Sequence, residues 1–446
     1  MNEKNKIKEP LILMGYLSVF LIFLTIFKSK LSIGNWLHPV DVFSDVRNKP
    51  TQLPIQLITS SNSLKKNILL PQDSTLFADY GVGTTTSLVK FYKKLNQLQQ
   101  GKTKIRIAYF GDSFIEGDRI TSDIRFQLQK LFGGNGIGFL PVYSNLANQY
   151  TQLKMHSDGW LDYNFTENPK KYPLGLMGHV FYPIGSTEVI YEAIGSQSFN
   201  SIKLYTGPTD NARTVDVEID GNPSIQAING NSLVNETNIS APTPIKKIKI
   251  ATSDETLPFY GVSLEDQSGI YIDNYAFRGN SGIETQKLTP ELITQQNSFF
   301  NYDLIILGYG LNALEHNAQK FDWYEQSMNK VIAKFKNGFT NTPILLISIA
   351  DVSYKYDGVY STEKAVPFMV AIQQRIAEKN NIAFWNLYQT IGGENTMLKW
   401  VKGDTIFGAP DYTHVTDKGA KKIATLFVSK LLASKAYYES LKPIKK

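Results

Sequence analysis

Asp411-Tyr-Thr-His414 sets a carboxylate and an imidazole three residues apart near the C-terminus, and Ser113 stands far upstream in Gly111-Asp-Ser113. A serine hydroxyl is a poor nucleophile until a base takes its proton. An imidazole serves best as that base when a carboxylate fixes its tautomer. Of the five histidines, His38, His156, His179, His316 and His414, only His414 has an acid close before it and a helical pattern close after it, from Val415 to Leu432. Ser113, His414 and Asp411 therefore read as nucleophile, base and orienting acid of an acyl-transfer site. The chain order Ser, Asp, His is one known triad order, although the G-x-S-x-G elbow is absent around Ser113.

These residues need a scaffold. Lys104 to Phe110 is short, β-branched and aromatic, and Gly111 stops it, which predicts a buried strand. Ile120, Ile124, Leu128 and Leu131 recur at helical spacing, so Ser113 falls where a strand ends and a helix is about to begin. Such turns are where α/β sheets present functional groups, and their N–H groups favour a developing negative charge. Further on, strands at Leu304–Leu307, 343–349 and 382–385 alternate with helices at 323–335 and 365–379. That alternation predicts an α/β fold, a parallel sheet flanked by helices. Leu88 to Leu98 reads as a short lead-in helix.

The residues resemble the SGNH (GDSL-type) hydrolase family in four blocks. Gly111-Asp112-Ser113 matches the nucleophile block. Asn274-Tyr-Ala-Phe-Arg-Gly279 is similar to the second block, Gly310-Leu-Asn312 to the third, and Asp411-Tyr-Thr-His414 to the block that completes the triad. The resemblance implies a three-layer α/β/α fold and an oxyanion hole formed by Ser113, Gly279 and Asn312, with Gly282 as the fallback for Gly279. Closer cues are Gly111-Asp-Ser-x-x-Glu-Gly-Asp-Arg-x-Thr121, Phe132-Gly-Gly-Asn-Gly-Ile-Gly138, and Gly392-Gly-Glu-Asn395 before Trp400. They resemble bacterial envelope peptidoglycan or polysaccharide O-acetylesterases. What this implies is a serine esterase acting on O-acyl, chiefly O-acetyl, groups of an envelope glycan, with no cofactor and no metal. An O-acetyltransferase that works with a membrane-bound O-acyltransferase would use the same residues. From another class, a glycan-binding scaffold with a vestigial site is the third reading.

Composition sets outer limits. The 446 residues carry 46 basic and 40 acidic side chains, net +6, with the lysines dispersed as surface pairs, so no nucleic-acid face is expected. The absence of cysteine excludes disulfides and thiolate chemistry. Leu11 to Phe27 is uncharged and almost wholly apolar, long enough to span a bilayer, and Lys28 and Lys30 follow it without a small-residue cleavage site. The expected localisation is a single N-terminal inner-membrane span with the catalytic domain in the periplasm. The organisation then reads as tail and anchor (1–30), stem and lead-in helix (31–100), a first hydrolase segment (101–149), an inserted β-sandwich-like module (150–267), and a second hydrolase segment (268–446).

The insert is assigned from short alternating runs at 201–205, 214–219 and 245–250, with Asp220-Gly221 as a turn. Its neck is expected near Tyr150 and Ile270. Asp216-x-Glu218-x-Asp220-Gly221 is similar to the start of a calcium loop, but Ala227 stands where the closing acid belongs, and a strand followed by a turn explains the run better. Trp160, Tyr163, Phe165, Tyr172, Phe181 and Tyr182 form the insert's aromatic set, read as core rather than as sugar platforms. His316, four residues past Asn312, is assigned to a surface or capping role, with the cleft wall as the alternative; Asp112 is assigned to holding the turn, and Glu116 and Arg119 suit the site rim and a charged exposed face equally.

Overall fold

The computed structural model describes residues 68–69, 76–81, 86–101, 103–167, 173–195 and 197–441. The expected membrane anchor, most of the stem, and Tyr172 lie outside them. Among the described residues no helix is long and apolar enough to cross a membrane.

The first half of the chain begins with β1 (Ile68–Leu69), β2 (Phe77–Asp79), α1 (Val89–Gln100), β3 (Lys104–Gly111) and α2 (Arg119–Phe132). Nine strands follow: β4 (Gly136–Leu140), β5 (Leu153–Asn164), β6 (His179–Ala193), β7 (Ser201–Thr206), β8 (Arg213–Ile219), β9 (Asn222–Ile228), β10 (Asn235–Ile239), β11 (Lys247–Thr252) and β12 (Phe259–Glu265). The second half alternates, with β13 (Gly269–Ala276), α3 (Pro290–Phe300), β14 (Leu304–Gly308), α4 (Asp322–Gly338), β15 (Ile344–Ile347), the hairpin β16 (Ser353–Tyr356) and β17 (Val359–Thr362), α5 (Val366–Lys379), β18 (Ala383–Trp385), α6 (Leu387–Ile391), α7 (Thr396–Lys402) and α8 (Asp417–Ser440).

The main sheet runs β1-β2-β18-β15-β14-β3-β13. From β18 to β13 it is parallel. Successive residues of each central strand feed two different cores, because side chains alternate across a strand. Ala108, Phe110, Ile305, Leu307 and Leu346 pack with α3, α4 and α5. Ile105, Ile107, Tyr109, Ile306 and Leu345 pack with α1, α2 and α8. Strands buried on both faces between helices make a three-layer α/β/α fold. The parallel expectation fails at one edge, where β2 pairs antiparallel with β18 and β1 antiparallel with β2. Phe77 to Asp79 falls within the stretch expected to be stem; three residues are too few to show a period, yet all three are buried.

The nine inserted strands form a second sheet with its own core. It branches where β12 meets β6 at the single pair Phe259 and Phe181, so that β10-β7-β12-β4 and β5-β6-β11-β8-β9 enclose one apolar cluster. Its first strand corrects the boundary expected from the sequence: β4 lies within the first hydrolase segment of that division, yet it pairs antiparallel with β12. The neck is therefore at residues 133–136, not at 150. Gly134 (φ 108°) and Gly269 (φ 105°) touch there, and a Cβ on Gly269 would lie 2.2 Å from the Gly134 Cα. Only glycine fits such a crossing. The Phe132–Gly138 motif is thus the neck's turn. Tyr150 is still near the other strand of the neck, since Arg125 donates both to Gln152 Oε1 (2.7 Å) and to the Ile272 carbonyl (2.9 Å).

Asp216 and Glu218 lie on β8, and Asp220 (φ 49°) and Gly221 (φ 85°) make the turn into β9. The Asp220 carboxylate accepts the N–H groups of Lys246 and Lys247. Trp160, Phe165 and Phe181 are buried, and Tyr163 and Tyr182 pack edge to face at 5.8 Å.

A buried cluster binds module to hydrolase. Arg106 on β3 donates to Asp273 of β13 (2.6 and 3.1 Å), to Ser263 of β12 (2.8 Å) and to Glu265. Tyr302 and the Phe139 N–H complete Asp273 at 2.6 and 2.9 Å. Although burial opposes it, the charges of Arg106 and Lys104 hold the Glu265 carboxyl down at about 2. Arg106→Met would leave Asp273 buried without its cation and Glu265 with Lys104 alone. It should lower unfolding free energy at neutral pH by about 3–5 kcal/mol, read from urea denaturation. A loss within error of zero would show that the pair is not desolvated as drawn.

Candidate active site

Parallel register sets the site's floor. Gly111 at the end of β3 stands opposite Gly308 on β14 and Ala276 on β13. The loops leaving these strands therefore share one rim, at the carboxyl ends where α/β sheets place their sites. Gly111 is a close approach: a Cβ there would sit 2.8 Å from Ile115 and 3.1 Å from the Gly308 carbonyl. The chain then turns through Asp112 and Ser113. A 3-10 turn, Glu116–Asp118, separates Ser113 from α2, which begins at Arg119, one residue before Ile120, the first apolar residue of the helical pattern.

Ser113, His414 and Asp411 come together. Ser113 Oγ is 2.9 Å from His414 Nε2, and His414 Nδ1 is 2.7 Å from Asp411 Oδ2. Asp411 Oδ1 also accepts the N–H groups of Thr413 (3.0 Å) and His414 (2.9 Å). Partial burial pushes this carboxyl up, but those N–H groups and the imidazole outweigh it and hold it below the usual carboxylate range. An ionised Asp411 accepts from Nδ1–H, which leaves Nε2 free to take the serine proton. The loop carrying His414 is closed by the bridge between Gly408 and Val415 and capped by Thr416, whose side chain accepts from Gly419 at the start of α8. Arg119 ties the two ends of the chain together by donating to the Val415 carbonyl at 3.3 Å.

The oxyanion candidates differ in their state. Asn312 follows β14 and lines the same recess as Ser113 and His414. Its Nδ2 donates to Asp112 Oδ2 (3.3 Å) and to the Asn280 carbonyl (3.1 Å). Gly279 is an exposed residue in the turn after β13, with φ 78°. That turn is anchored at the site by the Phe277 N–H, which donates to the Gly111 carbonyl at 3.0 Å. The fallback, Gly282, is occupied: its N–H donates to Asn280 Oδ1 at 2.6 Å, and it is buried against Tyr309 and Met328.

Several residues that position the site escape a reading of the sequence. Asn274 donates to the Ile115 carbonyl (2.7 Å) and to Thr121 (2.6 Å), bracing the nucleophile turn from β13. Asp118 is buried and holds Arg125 through two hydrogen bonds, 2.7 and 2.8 Å. Both Asp118 and Thr121 lie in the 111–121 motif, which is the one signal the sequence offers for them. Glu116 pairs with Arg278, as a rim pair would. Beyond them a second recess of about 390 Å³ opens between rim and module, where His179 Nδ1 is 2.8 Å from Asp162. His316 is exposed, as assigned, and it also borders the Ser113 recess, where Glu363 holds it at 2.7 Å.

The three layers, with Ser113 at the end of β3 and a β module inserted between α2 and β13, define the fold class. Among solved structures, a peptidoglycan O-acetylesterase superposes with a TM-score of 0.68 at 21% identity, covering 81% of this chain and 99% of its own. The hydrolase segments alone could not supply that share, so the shared fold includes the module. An acetyl xylan esterase (TM-score 0.28, 20% identity, 36% of this chain and 81% of its own) is also similar. So is a family two carbohydrate esterase from Clostridium thermocellum in complex with cellohexaose (0.27, 9%, 63% and 100%). Likeness at those scores supports nothing further. The sequence matches no protein-family model and no curated protein.

Asp112 gives the site a titration. It is buried, accepts the Phe114 N–H at 2.9 Å, and holds Asn312. Burial pushes its carboxyl up to about 6, against the Phe114 N–H, the His414 charge and the Asn312 amide. The folded state thus binds this proton more tightly than the unfolded chain does. Its contribution to stability is greatest below about pH 4 and falls as pH rises to about 6. Asp112→Asn cannot ionise. Relative to wild type, its stability should improve by up to about 3 kcal/mol between pH 4 and pH 7, measured by urea unfolding at both. A difference that does not change with pH would put the titration elsewhere.

Proposed function

We propose that the protein is a serine esterase that removes O-acetyl groups from a bacterial envelope polysaccharide or peptidoglycan. The observation that carries this reading is the hydrogen-bonded row from Ser113 through His414 to Asp411 at the rim of the sheet. The fold shared with a peptidoglycan O-acetylesterase supports the choice of substrate class.

In this mechanism Ser113 Oγ attacks the ester carbonyl carbon while His414 Nε2 takes the hydroxyl proton. The tetrahedral oxyanion is met by the Ser113 and Gly279 N–H groups and by the Asn312 amide, which turns from Asp112 towards it. As the C–O bond to the sugar breaks, His414 returns the proton to the leaving sugar oxygen. Water then attacks the acetyl-enzyme, His414 takes its proton, and acetate and free Ser113 result. Asp411 keeps the imidazole in the productive tautomer throughout. The recess between rim and module gives the polymer a course past Glu116 and Arg278. Leu11–Phe27 would hold this chemistry at the inner membrane, facing the periplasm, where a membrane-bound O-acyltransferase is a fitting partner.

Ser113→Ala and His414→Ala should each abolish labelling by a fluorophosphonate and acetate release from acetylated peptidoglycan. Asn312→Ala should retain labelling and lower kcat by about 10²–10³. Persistent labelling of Ser113→Ala would move the nucleophile to another residue. For the anchor, the native protein should be recovered in the membrane fraction with its N-terminus intact. A soluble periplasmic form beginning after Lys30 would refute the anchor and leave the esterase reading standing.

A further inference from the structure

The recess that holds Ser113 and His414 has a second wall, and that wall contains a second imidazole–carboxylate pair. The recess is about 290 Å³, and its far side is formed by His316, Tyr354 and Glu363, with Leu314 and Val352 at its base. His316 Nδ1 lies 2.7 Å from Glu363 Oε2. The other oxygen of Glu363 accepts the N–H groups of Asn317 (2.9 Å) and Ala365 (3.2 Å). Glu363 is buried, at 4% exposure. Burial raises its carboxyl, yet those N–H groups and the imidazole outweigh burial and hold it below the ordinary range. A carboxylate so fixed accepts from Nδ1–H, which leaves Nε2 as the ring nitrogen that can accept from a ligand. Among the described residues that nitrogen has no hydrogen-bond partner.

The ring is also fixed in orientation. Tyr354 packs on it with centroids 3.9 Å apart, and Tyr356 lies at 5.5 Å on a near-parallel plane. Both tyrosines belong to the β16–β17 hairpin. The same hairpin stacks Tyr360 on Tyr412 at 3.8 Å, two residues before His414. One rigid element therefore sets the spacing between the two imidazole walls. At its base Asp351 accepts from Thr362 (2.7 Å) and from the Met397 N–H (2.7 Å), and Asn395 of the Gly392–Asn395 motif exchanges hydrogen bonds with Thr362. Tyr354 itself is 47% exposed.

We propose that this wall is a subsite for a neutral sugar ring: His316 Nε2 accepts the O–H of a ring hydroxyl neighbouring the ester, and Tyr354 lies against the sugar's C–H face. The inference rests on the esterase reading and narrows its substrate. Three features select the ligand class. With Nδ1 engaged by Glu363, Nε2 is left to meet a ligand, and a ring hydroxyl is a partner from which it can accept. Among the described residues no lysine or arginine lines the recess, and Glu363 stands in its wall, so an anionic group has no cationic side chain to meet there. An exposed aromatic beside a fixed polar group suits a ring with one apolar face and hydroxyl edges. Acidic substituents of a longer glycan would have to lie outside this recess.

The test compares 4-nitrophenyl acetate, which carries no sugar, with O-acetylated chitooligosaccharide, using the full-length wild type and His316→Ala, His316→Gln and Tyr354→Ala. The readout is the ratio of kcat/KM on the glycan to kcat/KM on the aryl ester. His316→Ala and Tyr354→Ala should lower that ratio by about 10–100-fold, chiefly through a higher KM on the glycan. His316→Gln, whose amide oxygen can accept the same hydroxyl, should recover some of it. A ratio unchanged in His316→Ala, or a wild type that hydrolyses the aryl ester through Ser113 but not the glycan, would overturn the subsite. Loss of Ser113-dependent aryl ester hydrolysis in the wild type itself would instead overturn the esterase reading.

Discussion

Gly111, Ala276 and Gly308 stand opposite one another at the ends of β3, β13 and β14, and each is followed by a loop that the site needs. Parallel register fixes that alignment before any catalytic side chain is considered. Strands buried on both faces cannot slip, since a shift of one residue would exchange the side chains of the two cores. Ile105 and Ile107 face α1, α2 and α8, whereas Ala108 and Phe110 face α3, α4 and α5. The packing that stabilises the sheet thus also sets Ser113 and Asn312 at the same height. His414 arrives from the far end of the chain and is held by Arg119 and by the packing of α8 on α2.

Four carboxylates around this rim behave differently, and the balance of burial against hydrogen-bond donors decides how. Asp411 and Glu363 each receive two backbone N–H groups and an imidazole, and both are held below the ordinary range in spite of burial. Asp112 is more deeply enclosed and meets one backbone N–H and a longer contact from an amide, so burial wins. Asp351 behaves like Asp112: burial pushes it up to about 6 although Thr362 and Met397 donate to it. The division follows function in the proposed scheme. Carboxylates that fix an imidazole are held below the ordinary range, and the two that fix backbone turns are raised to about 6.

Much of this is legible in the sequence, for identifiable reasons. β3, α2, α4 and α5 have long or strongly patterned apolar faces, so periodicity locates them. Ser113, Asp411 and His414 are visible because their residue types and spacing have few other uses. The failures also have causes. β4 is five residues within a glycine-rich run, and its partner β12 lies far along the chain, so local pattern cannot assign it to the second sheet. β2 is three residues long and gains its strand conformation from β18. Leu131, which the helical spacing puts on the buried face of α2, is 56% exposed, while its neighbour Phe132 packs against the core instead. Glu363 cannot be paired with His316 at a separation of 47 residues, since tertiary packing alone brings them together.

The inserted module has consequences for the site that an appended domain would not have. It leaves and re-enters the α/β/α unit between α2 and β13, and those two elements brace the turn that carries Ser113. Asn274 on β13 reaches the Ile115 carbonyl, while Asp118 and Arg125 connect the start of α2 with Ile272 and with Gln152 inside the module. Arg106, on the strand that ends at Ser113, is enclosed by Ser263 and Glu265 of the module's β12. Movement of the module would therefore be felt at the turn through buried charge and not through a flexible linker. Packed, fully paired interiors resist gradual deformation. A glycan lying between module and rim would thus contact a surface rigidly coupled to the serine, which suits recognition of a polymer at a fixed distance from the ester.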